Sequence, residues 1–156
     1  MSRCLLDTNI LLRNVDAAHP HHPPARAALR ELTARGTALC ITPQNLIEYW
    51  AVATRPPAAN GLGLAPVQAA GDIANFKVAF ELLPDVPAIF GEWERITVAY
   101  GVVGKQSHDA RLVAVMKAHG IAEILTFNAD DFQRYAVGEG IAIVDPHSVV
   151  APSTTA

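Results

Sequence analysis

Cysteine is scarce in this chain, aromatic residues are few, and no apolar run is long. Cys4 and Cys40 are the two cysteines among 156 residues, too few for a disulfide scaffold. Both fall in short apolar segments and read as buried thiols of a reducing compartment, with a disulfide open only if their strands are neighbours. No apolar stretch approaches the roughly 18 residues that a membrane span needs. The start, Met1-Ser2-Arg3-Cys4, runs into Asp7, Asn9 and Arg13 and makes a poor secretory signal, so a cytoplasmic protein with no membrane partner is expected. Internal repeats and low-complexity tracts are missing too. There is no basic excess: the formal net charge of −3 argues against binding of polyanions by the whole surface. Arg13, Arg26, Arg30, Arg35, Lys105 and Arg111 can still line a local groove. What is present, 51% hydrophobic and 17% charged residues, suits one compact domain over residues 1–150, with 151–156 as a disordered tail.

Arg3 to Leu6 reads as a short, buried strand, and Thr8 to Val15 as a helix that Asp7, Thr8 or Asn9 can cap. His19-Pro20-His21-His22-Pro23-Pro24 reads as a loop, with Pro24 in the first turn of a helix over Ala25 to Arg35. Ala38 to Ile41 is a second strand, followed by a helix from near Pro43. Arg55 to Pro66, rich in Pro and Gly, is a surface loop whose Leu62 and Leu64 are expected to be exposed. Helices are predicted over Pro66 to Phe80, Pro87 to Tyr100 and Ser107 to His119, the last two ended by Gly101 and Gly120. Leu82-Leu83, Glu123 to Thr126 and Ile141 to Val144 complete the strands, and Ala129 to Tyr135 is a short helix. Strands separated by helices imply an α/β domain with a mainly parallel sheet. In such sheets, ligands sit beyond the carboxyl ends of the strands.

Acidic residues at the borders of apolar runs are the informative feature. Asp7 follows Cys4-Leu5-Leu6, Glu48 lies within Asn45-Leu46-Ile47-Glu48-Tyr49-Trp50, Asp109 opens the run Ala110 to Ala118, and Asp131 follows Phe127-Asn128. Asp7 is also a favoured helix cap, Asp109 suits a helix dipole, and Asp131 stands three residues after Asn128 like a capping pair. Glu48 has no such role: it is too deep in its helix to cap, and its neighbours leave little polar face. A half-buried Glu there needs a partner or a metal. Two carboxylates about 4 Å apart repel by roughly 4 kcal/mol at an effective dielectric of about 20. A cluster of these acids therefore takes up protons or holds a cation. The histidines of the Pro-rich loop read as solvated, His108 either as a neighbour able to orient Asp109 or as a structural residue, and Trp50 and Trp93 as packing residues.

Taken in order, L-L-D-T-N-I-L-L, N-L-I-E-Y-W, S-H-D-A-R-L-V-A and I-L-T-F-N-A-D-D-F resemble the PIN-domain family, in particular the VapC-type toxins of bacterial toxin–antitoxin pairs. The likeness runs from Arg3 to about Pro146. It implies a three-layer α/β/α sandwich and an endoribonuclease dependent on Mg²⁺ or Mn²⁺, in which a water activated by the metal cleaves RNA. It implies as well a small antitoxin that blocks the site, and a homodimer. By motif position, Asp7, Glu48 and Asp109 match the family acids. Asn128 falls where many relatives carry Asp, with Asp131 supplying a carboxylate one turn on. Asp7 and Asp109 are the expected direct ligands, Glu48 and Asp131 hold waters or a second ion, and Thr8 and Asn9 orient the acids. Cleavage would leave a 5′-phosphate and a 3′-hydroxyl. Two other readings stay open: an RNA-processing nuclease without an antitoxin, and a PIN fold that binds RNA without cutting it. A phosphoaspartate hydrolase is disfavoured, because Asn9 stands where its second Asp belongs.

Overall fold

The computed structural model describes residues 2–151, and the expected disordered tail therefore lies almost entirely outside the described residues. Five short strands, β1 (Arg3–Leu6), β2 (Ala38–Ile41), β3 (Glu81–Leu82), β4 (Glu123–Leu125) and β5 (Ala142–Val144), form one sheet in the order β3-β2-β1-β4-β5. Every pairing is parallel. Parallel neighbours need crossovers, and helices provide them. Between β1 and β2 run α1 (Thr8–Val15) and α2 (His22–Ala34), and between β2 and β3 run α3 (Pro43–Ala53) and α4 (Pro66–Ala79). The return to β4 uses α5 (Ala88–Ala99) and α6 (Gln106–His119), and α7 (Ala136–Glu139) precedes β5.

Side chains alternate across a strand, and here that alternation divides the interior into two cores. Cys4 and Leu6 of β1, with Leu39 and Ile41 of β2, pack beneath α1 to α4 through Ile10, Leu11, Leu29, Tyr49 and Phe76. Leu5, Cys40 and Ile124 point the other way, against Ile89, Ile96, Leu112, Val113 and Met116 of α5 and α6. The result is the expected three-layer α/β/α sandwich. The same alternation keeps the two thiols apart. Register places Cys40 opposite Leu5 and Leu39 opposite Cys4, so the cysteines face different cores and both are free. Burial pushes the Cys4 thiol up to about 12 and the Cys40 thiol up to about 11.

The structure departs from the sequence expectations at several points. Helix α2 starts at His22 rather than Ala25, because Pro23 and Pro24 fit a first turn whose N–H groups have no partner to lose. Its neighbours are not loose: the His21 ring lies flat on Phe127, with centroids 4.3 Å apart and planes within 8°, and His147 meets His21 edge-on at 5.5 Å. The helix expected over Ala129 to Tyr135 is instead two 3₁₀ turns, Ala129–Asp131 and Gln133–Tyr135, that lead into α7. Asn128 places no side-chain cap on the first of them. Leu62 and Leu64 are half-buried against the first core rather than exposed. Trp93 packs and donates its indole N–H to Ser107 O (2.9 Å), whereas Trp50 is exposed with its helix neighbour Ile47. Among the described residues, no helix is long and apolar enough to cross a membrane.

Strand β1 is central. The chain moves from it to β2 and β3 on one side, then returns to place β4 on the other. The crevice beyond the carboxyl ends of β1 and β4 is thus the topological switch point of the sheet. Because Leu5 is fully buried in this central strand, Leu5→Ala is expected to cost about 2–5 kcal/mol. Urea unfolding measures it, and a midpoint equal to that of the parent would contradict the assignment of Leu5 to the core.

Candidate active site

Asp7 leaves β1 at this crevice and caps α1. Its backbone N–H continues the ladder to Leu125 O (2.9 Å). Its Oδ1 accepts from the Thr8 N–H at 2.7 Å, and its Oδ2 accepts from Thr126 Oγ1 at 2.7 Å and from Asn9 Nδ2 at 3.2 Å. Asp7 therefore caps α1, as one of the sequence readings has it, and its carboxylate also lines the crevice. Glu48 reaches the same place from α3. Thr8 Oγ1 donates to its Oε1 (2.6 Å), and Gln44 Nε2 donates to its Oε2 (3.0 Å). Asn45, buried, closes a capping box with Thr42 and donates to Thr8 Oγ1 (3.1 Å), which orients that hydroxyl toward Glu48. Thr8 and Asn9 thus hold the acids, as expected.

Asp109 enters from the first turn of α6 and is half-buried. Asp7, Glu48 and Asp109 line a single cleft of about 330 Å³ together with Thr8, Asn9, Arg55, His108 and Asn128. Asp131 is set apart. It is exposed, and it lines an adjoining hollow with Phe127, Asp130 and Asn128, the last of which borders both. Its charge nevertheless reaches Asp7 and Asp109. His108 also lines the cleft, and its backbone carbonyl accepts from Gln44 Nε2 (2.7 Å).

The electrostatics separate these acids from an ordinary buried ion pair. Burial, opposed by the Thr126 and Thr8 hydrogen bonds and aided by Glu48 and Asp131, pushes Asp7 up to about 6. Burial, then Asp7, Asp131 and Glu48, pushes Asp109 up to about 7, with no hydrogen bond to offset it. Outside the cleft, Glu139 has as little exposure as Asp7 but receives Arg95 Nη2 at 2.6 Å and Tyr100 Oη at 2.8 Å. The Arg95 hydrogen bonds hold it below its ordinary value. In the cleft the charge is left uncompensated.

A family model described as "PIN domain" matches residues 4–138. The chain belongs to the PIN-domain family. It is 30% identical, over 91% of its length and 96% of the relative's, to Ribonuclease VapC48 of Mycobacterium tuberculosis. Its fold is similar to those in the structures of VapBC2 from Rickettsia felis bound to a promoter DNA fragment and of DNA-bound VapBC from Salmonella typhimurium. The first has a TM-score of 0.69 at 14% identity, covering 92% of this chain and 98% of that one. The second has a TM-score of 0.68 at 22% identity, covering 94% and 99%.

Thr126 and Gln44, which help hold the acids of this PIN domain in place, carried no assigned role in the sequence, and Arg111 was expected only to line a groove. Thr126 lies inside the quoted T-F-N motif, and its buried hydroxyl ties Asp7 to the Asn128 N–H (2.9 Å). Gln44, one turn before Glu48, was legible only as an i,i+4 neighbour. Arg111 Nη1 donates to Gln44 Oε1 (3.0 Å), so this arginine braces Glu48 through Gln44. Among the described residues, no three His, Cys, Asp or Glu side chains make a ready cage for a metal. The oxygen donors present suit a hard cation that keeps most of its waters and takes one or two carboxylates directly.

Two outcomes follow from this geometry. A carboxylate whose folded pKa is raised favours the folded state below the ordinary value of 3.8 and loses that contribution as pH rises through about 6 for Asp7 and about 7 for Asp109. Without metal, the Tm should fall from pH 4 to pH 7.5. Mg²⁺ or Mn²⁺ should restore it at pH 7.5 and add little at pH 4. A profile that is flat in EDTA would contradict the desolvated cluster. Thr126→Val removes the hydroxyl that holds Asp7, and the Mn²⁺ affinity measured by calorimetry should drop about 10–100-fold.

Proposed function

We propose that this PIN domain is an endoribonuclease dependent on Mg²⁺ or Mn²⁺, the toxin of a toxin–antitoxin pair. The observation that carries the reading is the meeting of Asp7, Glu48 and Asp109, from three separate elements, in one cleft at the switch point with their charge uncompensated. The 30% identity to a ribonuclease over nearly the whole chain supports the reaction. The VapBC neighbours support a small antitoxin as partner. RNA as substrate places the activity in the cytoplasm. Exposed Ile47 and Trp50 on α3 and Val67 on α4 offer apolar surface for the antitoxin or for a homodimer.

Asp7 and Asp109 are the side chains that would hold the cation, with Glu48 and Asp131 around it. When bound, the metal supplies Lewis acidity, acidifying a water and offsetting charge on the phosphoryl oxygens. The chain's own residues do the positioning. The Thr8 and Gln44 donors fix both oxygens of Glu48, which stays available to accept a proton at a carboxylate oxygen. Asn9 and Thr126 keep Asp7 from turning away, and the exposed Asn128 amide faces both hollows as a neutral donor to RNA.

The test is incubation of the purified protein with single-stranded and structured RNAs in Mg²⁺, Mn²⁺ or EDTA. Metal-dependent cuts that leave 5′-phosphates and 3′-hydroxyls are expected, and both Asp7→Asn and Asp109→Asn should lose them. Cutting that persists in EDTA, or that is equal in the two variants, would overturn the proposal.

A further inference from the structure

Arg55 is the one arginine on the wall of the acidic cleft. Glu48, Ala51 and Val52 line it from one face of α3, and Arg55 lines it from just past the helix end. Helix α3 ends at Ala53, so this wall runs from a carboxylate inside the helix to an arginine two residues past its end.

The backbone of Arg55 is held in place by the loop that follows. Its N–H donates to Val52 O (3.2 Å), and its carbonyl accepts from the Gly63 N–H (2.8 Å). Gly61 packs on it so closely that a Cβ there would sit 2.0 Å from Arg55 O and 2.4 Å from Arg55 Cβ. The Pro- and Gly-rich loop is thus a support folded back on this residue. The side chain is less committed. Its sole contact of note is Nη1 to Ala59 O at 3.5 Å. Arg13, Arg35, Arg95 and Arg111 each pair with a carboxylate, whereas among the described residues none lies within ion-pair distance of Arg55.

We propose that Arg55 binds a backbone phosphate of the RNA, next along the strand from the phosphodiester at the carboxylates. The proposal rests on the nuclease reading and adds a binding subsite to it. The loop holds the Arg55 backbone at the wall of the cleft, and no carboxylate among the described residues lies within ion-pair distance of its guanidinium. Guanidinium suits this ligand, since its planar fork matches two phosphate oxygens. An acidic peptide laid along the same face would next meet Asp7, Glu48 and Asp109 with like charge. A nucleic acid strand instead brings there the phosphate on which the site acts.

The test uses the full chain and a short, labelled single-stranded RNA of mixed sequence, its binding followed by anisotropy in EDTA across a salt series. Loss of one phosphate contact on a single strand lowers the salt slope by about 0.7. Arg55→Gln should show that change and bind about tenfold more weakly at low salt, with its Tm unchanged. Arg55→Lys should keep the slope and recover part of the affinity. With Mg²⁺, Arg55→Gln should raise KM and leave kcat within about twofold. An unchanged slope and affinity in Arg55→Gln, while the parent still cuts RNA, would overturn the subsite and leave the nuclease reading intact. The same result follows if the variant loses only a protein partner. A slope that depends on Arg55 in a protein that cuts nothing would support the backbone contact and sink the nuclease reading. A parent that binds no RNA would overturn both.

Discussion

Asp7 sits where the central strand ends, a residue only 7% exposed, with three donors closing on its carboxylate. Two of those donors are local, and the third comes from a stretch of chain whose position the rest of the fold must supply. Thr8 and Asn9 belong to α1, which Asp7 itself caps. Thr126 directly follows β4, which pairs with β1 only because the chain returns across the sheet after β3. Burying a carboxylate is costly unless its charge is compensated, and the hydrogen bonds only partly meet that cost here. The site is therefore the place where the fold spends stability, and the two apolar cores on either face of the sheet bear it.

Two buried carboxylates in one molecule show the difference between structure and function. Glu139 is gripped by the fork of Arg95 and by Tyr100 Oη, and its charge is settled inside the protein. Asp7 and Glu48 are positioned by neutral donors, hydroxyls and amides, that orient without neutralising, and Asp109 beside them has no hydrogen-bond donor. Arg111, which comes close, is turned onto the Gln44 amide and Asp85 instead of onto Glu48. Fixed orientation with uncompensated charge is the condition for holding a divalent cation.

Much of the candidate site could be read in the chain before folding. Asp7, Glu48 and Asp109 stand out because an acid beside an apolar run has few structural reasons to be there, and Glu48 has the fewest. Their supports were harder to see. A threonine at a strand end and a glutamine one turn before a glutamate are ordinary residues until their partners are known. Asp131 shows the opposite limit. Motif spacing put it with the other acids, and in the fold its charge reaches Asp7 and Asp109 while its side chain stands exposed on the neighbouring hollow.

The sequence by itself determined the alternation of strands and helices, the apolar faces, the caps and the order of the acids, all of which depend on residues within about one helical turn of each other. Tertiary structure decided which strands are neighbours, and with it everything that depends on distant partners. Leu5 and Leu6 are adjacent in the chain but belong to different cores, and the two cysteines on neighbouring strands never meet. Thr126 reaches Asp7 across 119 positions, and the half-buried Leu62 and Leu64 belong to a loop that folds back on Arg55. Periodicity tells a strand which face is apolar, but strand order comes from the crossovers, and no local pattern records it.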